Sequence, residues 1–202
     1  MTLQEISALG VNLGVVIGGG NIFRGSSAQA FHFQRPPADQ IGMLSTVING
    51  LALQQALREV GVDAHLMSSI TCSEIVEDFH WSKAKMLFDQ GKVLLFVGGT
   101  GNSHFTTDTA AALRASEMGV HVLMKATKVD GVFDKDPLLY PDATHFPHLT
   151  YKEALTREVG VMDRTAFAMC AENQIPIHIL NIFRPGALLS AILGEEIGSI
   201  VS

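Results

Sequence analysis

Two rhythms of apolar residues alternate along the chain. Val93 to Val97 is a continuous apolar run with the length and composition of a buried parallel strand. Asn12 to Ile17, Asp63 to Ser68, Val120 to Met124, Ile175 to Asn181 and Gly198 to Val201 read as further strands. Between them the spacing turns helical. Met1 to Leu9 carries Leu3, Ile6 and Leu9 and is stopped by Gly10. A long helix opens at Asp39 and ends near Gly61, with Ile41, Leu44, Ile48, Leu51 and Ala52 on one stripe. Shorter helices are predicted over Trp81 to Gln90, from Asp108, from Thr150, over Val161 to Asn173, and from Pro185, which fits a first helical turn. Residues 26 to 38 are polar and proline-bearing and read as a mobile loop. Strands alternating with helices predict an α/β fold with a mostly parallel sheet.

Composition narrows the classes. At 202 residues, 47% apolar and 17% charged, the chain has the material for one globular domain with a substantial core. A formal net charge of −6 leaves no basic footprint, so no nucleic-acid partner is predicted. Cys72 and Cys170 form no C-x-x-C and no disulfide framework, which points to core thiols in a reducing compartment. No apolar run reaches membrane-spanning length and no signal-peptide pattern opens the chain, so a soluble cytoplasmic protein is expected. The histidines lack metal-ligand spacing, so no protein-held metal is predicted. Trp81 and Phe88 are expected to pack in the core or an interface.

The candidate chemistry sits where strands end. After Val97 come Gly98-Gly99-Thr100-Gly101-Asn102-Ser103-His104-Phe105-Thr106-Thr107-Asp108, in which the glycines allow close backbone approach to a ligand. Thr106 and Thr107 can cap the next helix, whose free N–H groups and positive dipole end would make an anion seat. A second glycine-rich turn, Gly18 to Gly25, places Arg24 where its guanidinium can fork onto phosphoryl oxygens. Asp39 is either the N-cap of the long helix or an acceptor for a sugar hydroxyl. Lys125 to Pro137 reads as a third polar loop. There Lys125 can meet a transferring phosphate, Phe133 offers a flat apolar face and Asp136 an acceptor; the alternative is a charged turn braced by lysine–aspartate pairs. Asp163 can cap its helix or reach the site. No G-x-x-x-x-G-K-[ST] occurs, which excludes a Walker-type phosphate loop.

These motifs, with Asp39 to Ala52, Val161-Met162-Asp163 and Asn181 to Leu188, follow one another as in the amino acid kinase family, and the chain most closely resembles its bacterial UMP kinases. The resemblance implies a three-layer α/β/α sandwich with a mostly parallel central sheet, a homohexamer subject to allosteric control, and transfer of the γ-phosphoryl group of ATP to UMP, with Mg²⁺ accompanying ATP, in pyrimidine nucleotide biosynthesis. Carried over by position, Gly19, Asp39, Thr100, Gly101, Asn102, Ser103, His104, Phe105, Thr106 and Thr107 would hold UMP. Gly20, Arg24, Thr127, Phe133 and Asp136 would hold ATP. Arg24 and Lys125 would offset charge on the transferring group, with Asp108 and Asp163 as organisers or bases.

One departure accompanies the resemblance. Family members carry a first strand, a lysine- and glycine-rich phosphate loop and a helix upstream of the segment matching Met1 to Leu9. Residues 1–202 are therefore expected to be a single kinase domain truncated at its amino terminus, with exposed strand edges, an intact acceptor pocket and little or no turnover. The competing expectations are a relative acting on acetylglutamate, aspartate or carbamate, and a non-catalytic nucleotide-binding module.

Overall fold

A computed structural model of the chain describes residues 2–24, 32–157 and 159–202. Met1, Gly25 and residues 26–31 of the expected loop lie outside these. The chain divides into two compact units, Leu3–Ala110 and Ala111–Ser202.

The first unit begins with α1 (Thr2–Ala8) and is built on a four-stranded sheet of order β1-β4-β2-β3. Its strands are β1 (Gly14–Val16), β2 (Ala64–Ser68), β3 (Glu77–Asp78) and β4 (Val93–Val97), and every pairing is parallel. Every residue of β4 is buried, as the unbroken apolar run requires. Its alternate side chains serve two faces. Val93, Leu95 and Val97 join Ala64, Leu66 and Ile17 against Val47 and Leu57 of α2 (Arg35–Glu59). On the other face Phe96 meets Phe79 edge-on at 5.9 Å, and Phe88 of α3 (Trp81–Asp89) is buried nearby. Helix, sheet and helix thus form three layers in this unit.

The helix α4 (Thr107–Met118) leads into the second unit, whose sheet has the order β5-β9-β10-β8. Here β5 (Leu123–Thr127) runs parallel to β9 (Ile177–Asn181), β10 (Ser199–Val201) is antiparallel to β9, and β8 (His148–Leu149) is parallel to β10. A separate antiparallel ribbon pairs β6 (Val132–Phe133) with β7 (His145–Phe146). Ile177 and Ile179 pack with Ala112 and Ala115 of α4 and with Ala166, Phe167 and Cys170 of α6 (Arg164–Glu172). Leu180 packs with Ala187 and Ala191 of α7 (Ala187–Ile192). Between β8 and α6, Thr150 and Glu153 form a reciprocal capping box on α5 (Tyr151–Thr156). Those bonds from Thr150 hold the Glu153 carboxyl below its ordinary range. Burial pushes the Cys170 thiol up to about 11, so it behaves as a core residue; Cys72 is partly buried.

Several expectations need correction. The long helix begins at Arg35, four residues before Asp39, with Pro36 and Pro37 in its first turn, where the missing N–H groups have no intrahelical partner to lose. Residues 35–38 are thus helix, and Asp39 is not an N-cap. Its predicted apolar stripe is only partly buried: Leu51 packs against the core, but Leu44 is 49% and Ile48 57% exposed, while Ala38, Ser45, Thr46, Val47, Gly50 and Leu57 are buried. The cause is close packing, since a Cβ on Gly50 would lie 2.4 Å from Val97 Cγ1. The strand expected over Val120 to Met124 starts at Leu123, because Val120 N–H still closes the end of α4 on Ala115 O. Lys125 and Thr127 therefore belong to β5 and not to a loop. Pro185 precedes the Gly186 N-cap of α7. Of the pair expected in the core or an interface, Phe88 is buried, while Trp81 is 55% exposed and so is not a core residue. No helix among the described residues is long and apolar enough to cross a membrane.

Gly50 and Gly42 lie on the same helix but differ in surroundings, which generates a paired prediction. Gly50→Ala is expected to destabilise the fold by about 1–3 kcal/mol through overpacking. Gly42→Ala, whose Cβ would have no atom within 4 Å, should stabilise it by about 0.5–1 kcal/mol. Chemical denaturation of both variants checks the opposite signs.

Candidate functional site

In the first unit the parallel pairing of β1 with β4 sets the two glycine-rich segments side by side, because both leave the same end of the sheet. A Cβ on Gly18 would sit 3.7 Å from Thr107 Oγ1. Helix α2 clamps both segments. Gly19 rests directly on it, where a Cβ would lie 2.6 Å from Gly42 O, and Asn49 Nδ2 donates to Gly18 O at 2.8 Å. Asn49 also exchanges side-chain hydrogen bonds with Asn21 at 2.7 and 3.2 Å. Gly19 O accepts the N–H groups of Ile22 and Phe23, which curls the chain so that Arg24 Nε reaches Gly20 O at 2.8 Å. That contact engages one of the five guanidinium donors and folds the side chain over the glycines.

The Gly98–Thr107 segment is fixed at three points. Gly98, with φ 77°, donates its buried N–H to Thr46 Oγ1 at 2.7 Å. A side chain there would collide with Ser68 Oγ and the Ser69 and Ile70 backbone at 2.9–3.0 Å, so both conformation and space demand glycine. Ser69 Oγ donates to Gly99 O at 2.8 Å. The third point is His104, a non-glycine residue at φ 72° whose N–H donates to Asp39 Oδ2 at 2.7 Å. The left-handed backbone costs about 1–2 kcal/mol, and a hydrogen bond to a charged acceptor contributes about 1.5–3 kcal/mol, enough to hold it. Arg35 Nε donates to both Asp39 oxygens at 2.8 Å. Asp39, Thr46, Asn49 and Ser69 are thus the scaffold of the loop. Thr46, Asn49, Ser69 and Arg35 escaped the sequence reading; a polar cluster inside an otherwise apolar helix was the available signal.

Thr106 is the cap of α4: its Oγ1 accepts from Asp108 N–H at 3.1 Å and from Thr109 N–H at 3.4 Å. The cap satisfies two of the groups expected to face an anion, so the attraction offered there is chiefly that of the helix dipole. Thr100 Oγ1 closes a local turn with Asn102, and Asn102, His104, Phe105 and Thr106 are exposed while Gly101, Ser103, Thr107 and Asp108 are partly buried.

The remaining candidates belong to the second unit. Lys125 lies in β5 in register with Ile179. Thr127 ends that strand, its hydroxyl shared among Val129 O at 2.7 Å, Leu180 O at 3.2 Å and Val129 N–H at 3.2 Å. Ile182 N–H donates to Thr127 O, so the segments leaving β5 and β9 are tied together. Phe133 lies in β6, and Asp136 Oδ1 accepts from Leu138 N–H at 2.9 Å in a tight turn. Lys135 pairs with Asp142 at 2.6 Å, the brace that the plainer reading of this loop foresaw. Asp163 caps α6, accepting from Ala166 N–H at 2.8 Å.

Glycine-rich segments at the ends of adjacent parallel strands, with a guanidinium and a helix N-terminus on them, define an α/β protein whose backbone can approach a ligand closely at this sheet end. Comparison with known proteins carries this further. Residues 2–181 match the amino acid kinase family. Over 183 residues the chain is 50% identical to a uridylate kinase of Protochlamydia amoebophila (strain UWE25), covering 91% of this chain and 73% of that protein. It superposes on the crystal structure of UMP kinase from Ureaplasma parvum with a TM-score of 0.93 at 39% identity, covering 99% of this chain and 85% of the other. For UMP kinase from Bacillus anthracis the TM-score is 0.95 at 34% identity, with 99% and 83% covered. The chain belongs to the amino acid kinase family.

The clamp between α2 and the loop is open to direct test. Thr46→Val keeps the side-chain shape but leaves the buried Gly98 N–H without its acceptor, and should cost about 1–3 kcal/mol of stability, read as a lowered denaturation midpoint.

Proposed function

We propose that the chain transfers the γ-phosphoryl group of ATP to UMP, forming UDP. The observation that carries this reading is the pair of glycine-rich segments clamped on α2, in a chain half identical to a uridylate kinase. In this reading Gly19, Asp39 and Thr100 through Thr107 hold UMP, and Gly20, Arg24, Thr127, Phe133 and Asp136 hold ATP. The reaction moves a charged group between two anions, so the protein's part is to position and to neutralise. Arg24, anchored by its Nε on Gly20 O, has its remaining donors for phosphoryl oxygens. Lys125 supplies a second cation.

The donor set fits Mg²⁺ carried by ATP. Magnesium in phosphotransferases rests largely on phosphate and water oxygens with one or two carboxylates, and among the described residues no three His, Cys, Asp or Glu side chains gather into a cage. Asp108, partly buried in the first turn of α4, is the carboxylate we assign to organise it. Asp163 serves first as the cap of α6, so its part in the reaction is to fix that helix. Bound magnesium would spread the charge on the transferring phosphoryl group.

The homohexamer and allosteric control implied by the resemblance belong to the same proposal, as does a cytoplasmic location. The outward-facing Leu44 and Ile48 support the assembly, since a helix of a monomer seldom turns its apolar stripe to water.

Two measurements test these statements. Half identity to a uridylate kinase sets this reading against the expectation of little or no turnover: the purified 202-residue chain with Mg-ATP should form UDP from UMP and little product from CMP, and Arg24→Ala should lower kcat/KM about a hundredfold or more; equal use of CMP would contradict the acceptor assignment. Light scattering should give a hexamer mass that falls in a Leu44→Glu, Ile48→Glu double variant. An unchanged mass would place the interface elsewhere.

A further inference from the structure

Ser199 is fully buried, and its hydroxyl has three neighbours. Phe146 O lies at 2.6 Å, the backbone N of Val132 at 2.8 Å and Nε2 of His145 at 3.0 Å. A serine hydroxyl has one proton and two lone pairs. The carbonyl of Phe146 can only accept, so the proton goes there, and the N–H of Val132 fills one lone pair. What remains is an acceptor, which makes His145 the donor through Nε2–H. The contact needs room that a glycine provides: a Cβ at Gly131, φ 136°, would lie 2.3 Å from Ser199 Oγ and 2.5 Å from His145 Nε2.

The ring held in this way is the cross-strand partner of Phe133. Phe133 and His145 face each other in the β6–β7 register, with centroids 5.0 Å apart and planes tilted by 52°. A two-stranded ribbon of two-residue strands is weak on its own. Here β10 steadies it at both strands through one serine, by way of Val132 on β6 and His145 on β7. Phe133 is only partly buried, so part of its ring remains available to a ligand.

We propose that His145, anchored on Ser199, is a positioning residue that fixes the Phe133 ring for stacking against the nucleotide base. The inference rests on the reading of Phe133 as part of the ATP site. Ser199 and His145 act here through the Phe133 ring, so their effect is expected on base affinity and not on the phosphates.

Equilibrium binding of ATP and of inorganic tripolyphosphate to the 202-residue chain separates the possibilities. His145→Ala should weaken ATP binding about threefold to tenfold, the range of one aromatic pair, and leave tripolyphosphate within about twofold. His145→Phe, which keeps a ring but loses the donor to Ser199, should recover part of the ATP affinity. Phe133→Ala should weaken ATP at least as much as His145→Ala. If Phe133→Ala weakens ATP while His145→Ala does not, or if His145→Ala weakens both ligands alike, the positioning role is overturned. If the parent binds no ATP, or if Phe133→Ala leaves ATP affinity unchanged, the base-site reading itself falls, and this inference with it.

Discussion

The first unit depends on how closely α2 approaches the ends of β1 and β4. Small residues make the approach possible: Gly19 lies where any Cβ would strike Gly42 O, and Gly50 where it would strike Val97. At that distance the helix contributes polar groups as well as apolar surface. Thr46 reaches the N–H of Gly98, Asn49 the carbonyl of Gly18, and Asp39 the N–H of His104. Each satisfies a backbone group that a loop on its own would leave to water or to a ligand. The shape of the glycine-rich segments is therefore imposed by the helix, and a helix one side chain farther away would hold neither.

The same constraint explains what could and could not be read in the residues. The element types and their order were legible, because β4 is buried on both faces and so shows an unbroken apolar run. The glycine-rich segments and the Thr106 cap were legible because turn and cap chemistry are local. The buried face of α2 was not. Apolar periodicity selects Leu44 and Ile48, yet the buried face carries Ala38, Ser45, Thr46 and Gly50 beside the apolar Val47 and Leu57, and the four small or polar residues answer to size and hydrogen bonding. The start of that helix was missed for a related reason, as a pair of prolines reads as loop although a first helical turn accepts them. The short ribbon of β6 and β7 was missed because two-residue strands carry no period, and Ser199 because its three partners lie at least 53 residues away in sequence.

In the second unit polar contacts do a comparable job. Thr127 links the segment that leaves β5 to Leu180 at the end of β9, and Ser199 links β10 to the ribbon. These bonds saturate the Ser199 hydroxyl, whereas Thr127 has committed its proton and keeps one lone pair. Threonine at the end of this strand is therefore a junction first, and its hydroxyl has no proton left to donate to a ligand.

Asp39 shows how a carboxylate can sit beside a loop proposed to receive an anion. Unaccompanied, it would repel a phosphate. Its oxygens instead accept the Arg35 guanidinium and the His104 N–H, and its side chain is only 13% exposed. The Arg35 side chain is 54% exposed, so the ion pair by itself contributes little to stability. Its consequence is electrostatic: the local charge is close to neutral, while the lone pairs that remain on Asp39 can still accept a hydroxyl proton. Removing Arg35 would leave the loop geometry to the His104 contact and restore a net negative charge beside the seat. The arginine is thus what allows one carboxylate to hold the loop without leaving a bare negative charge there.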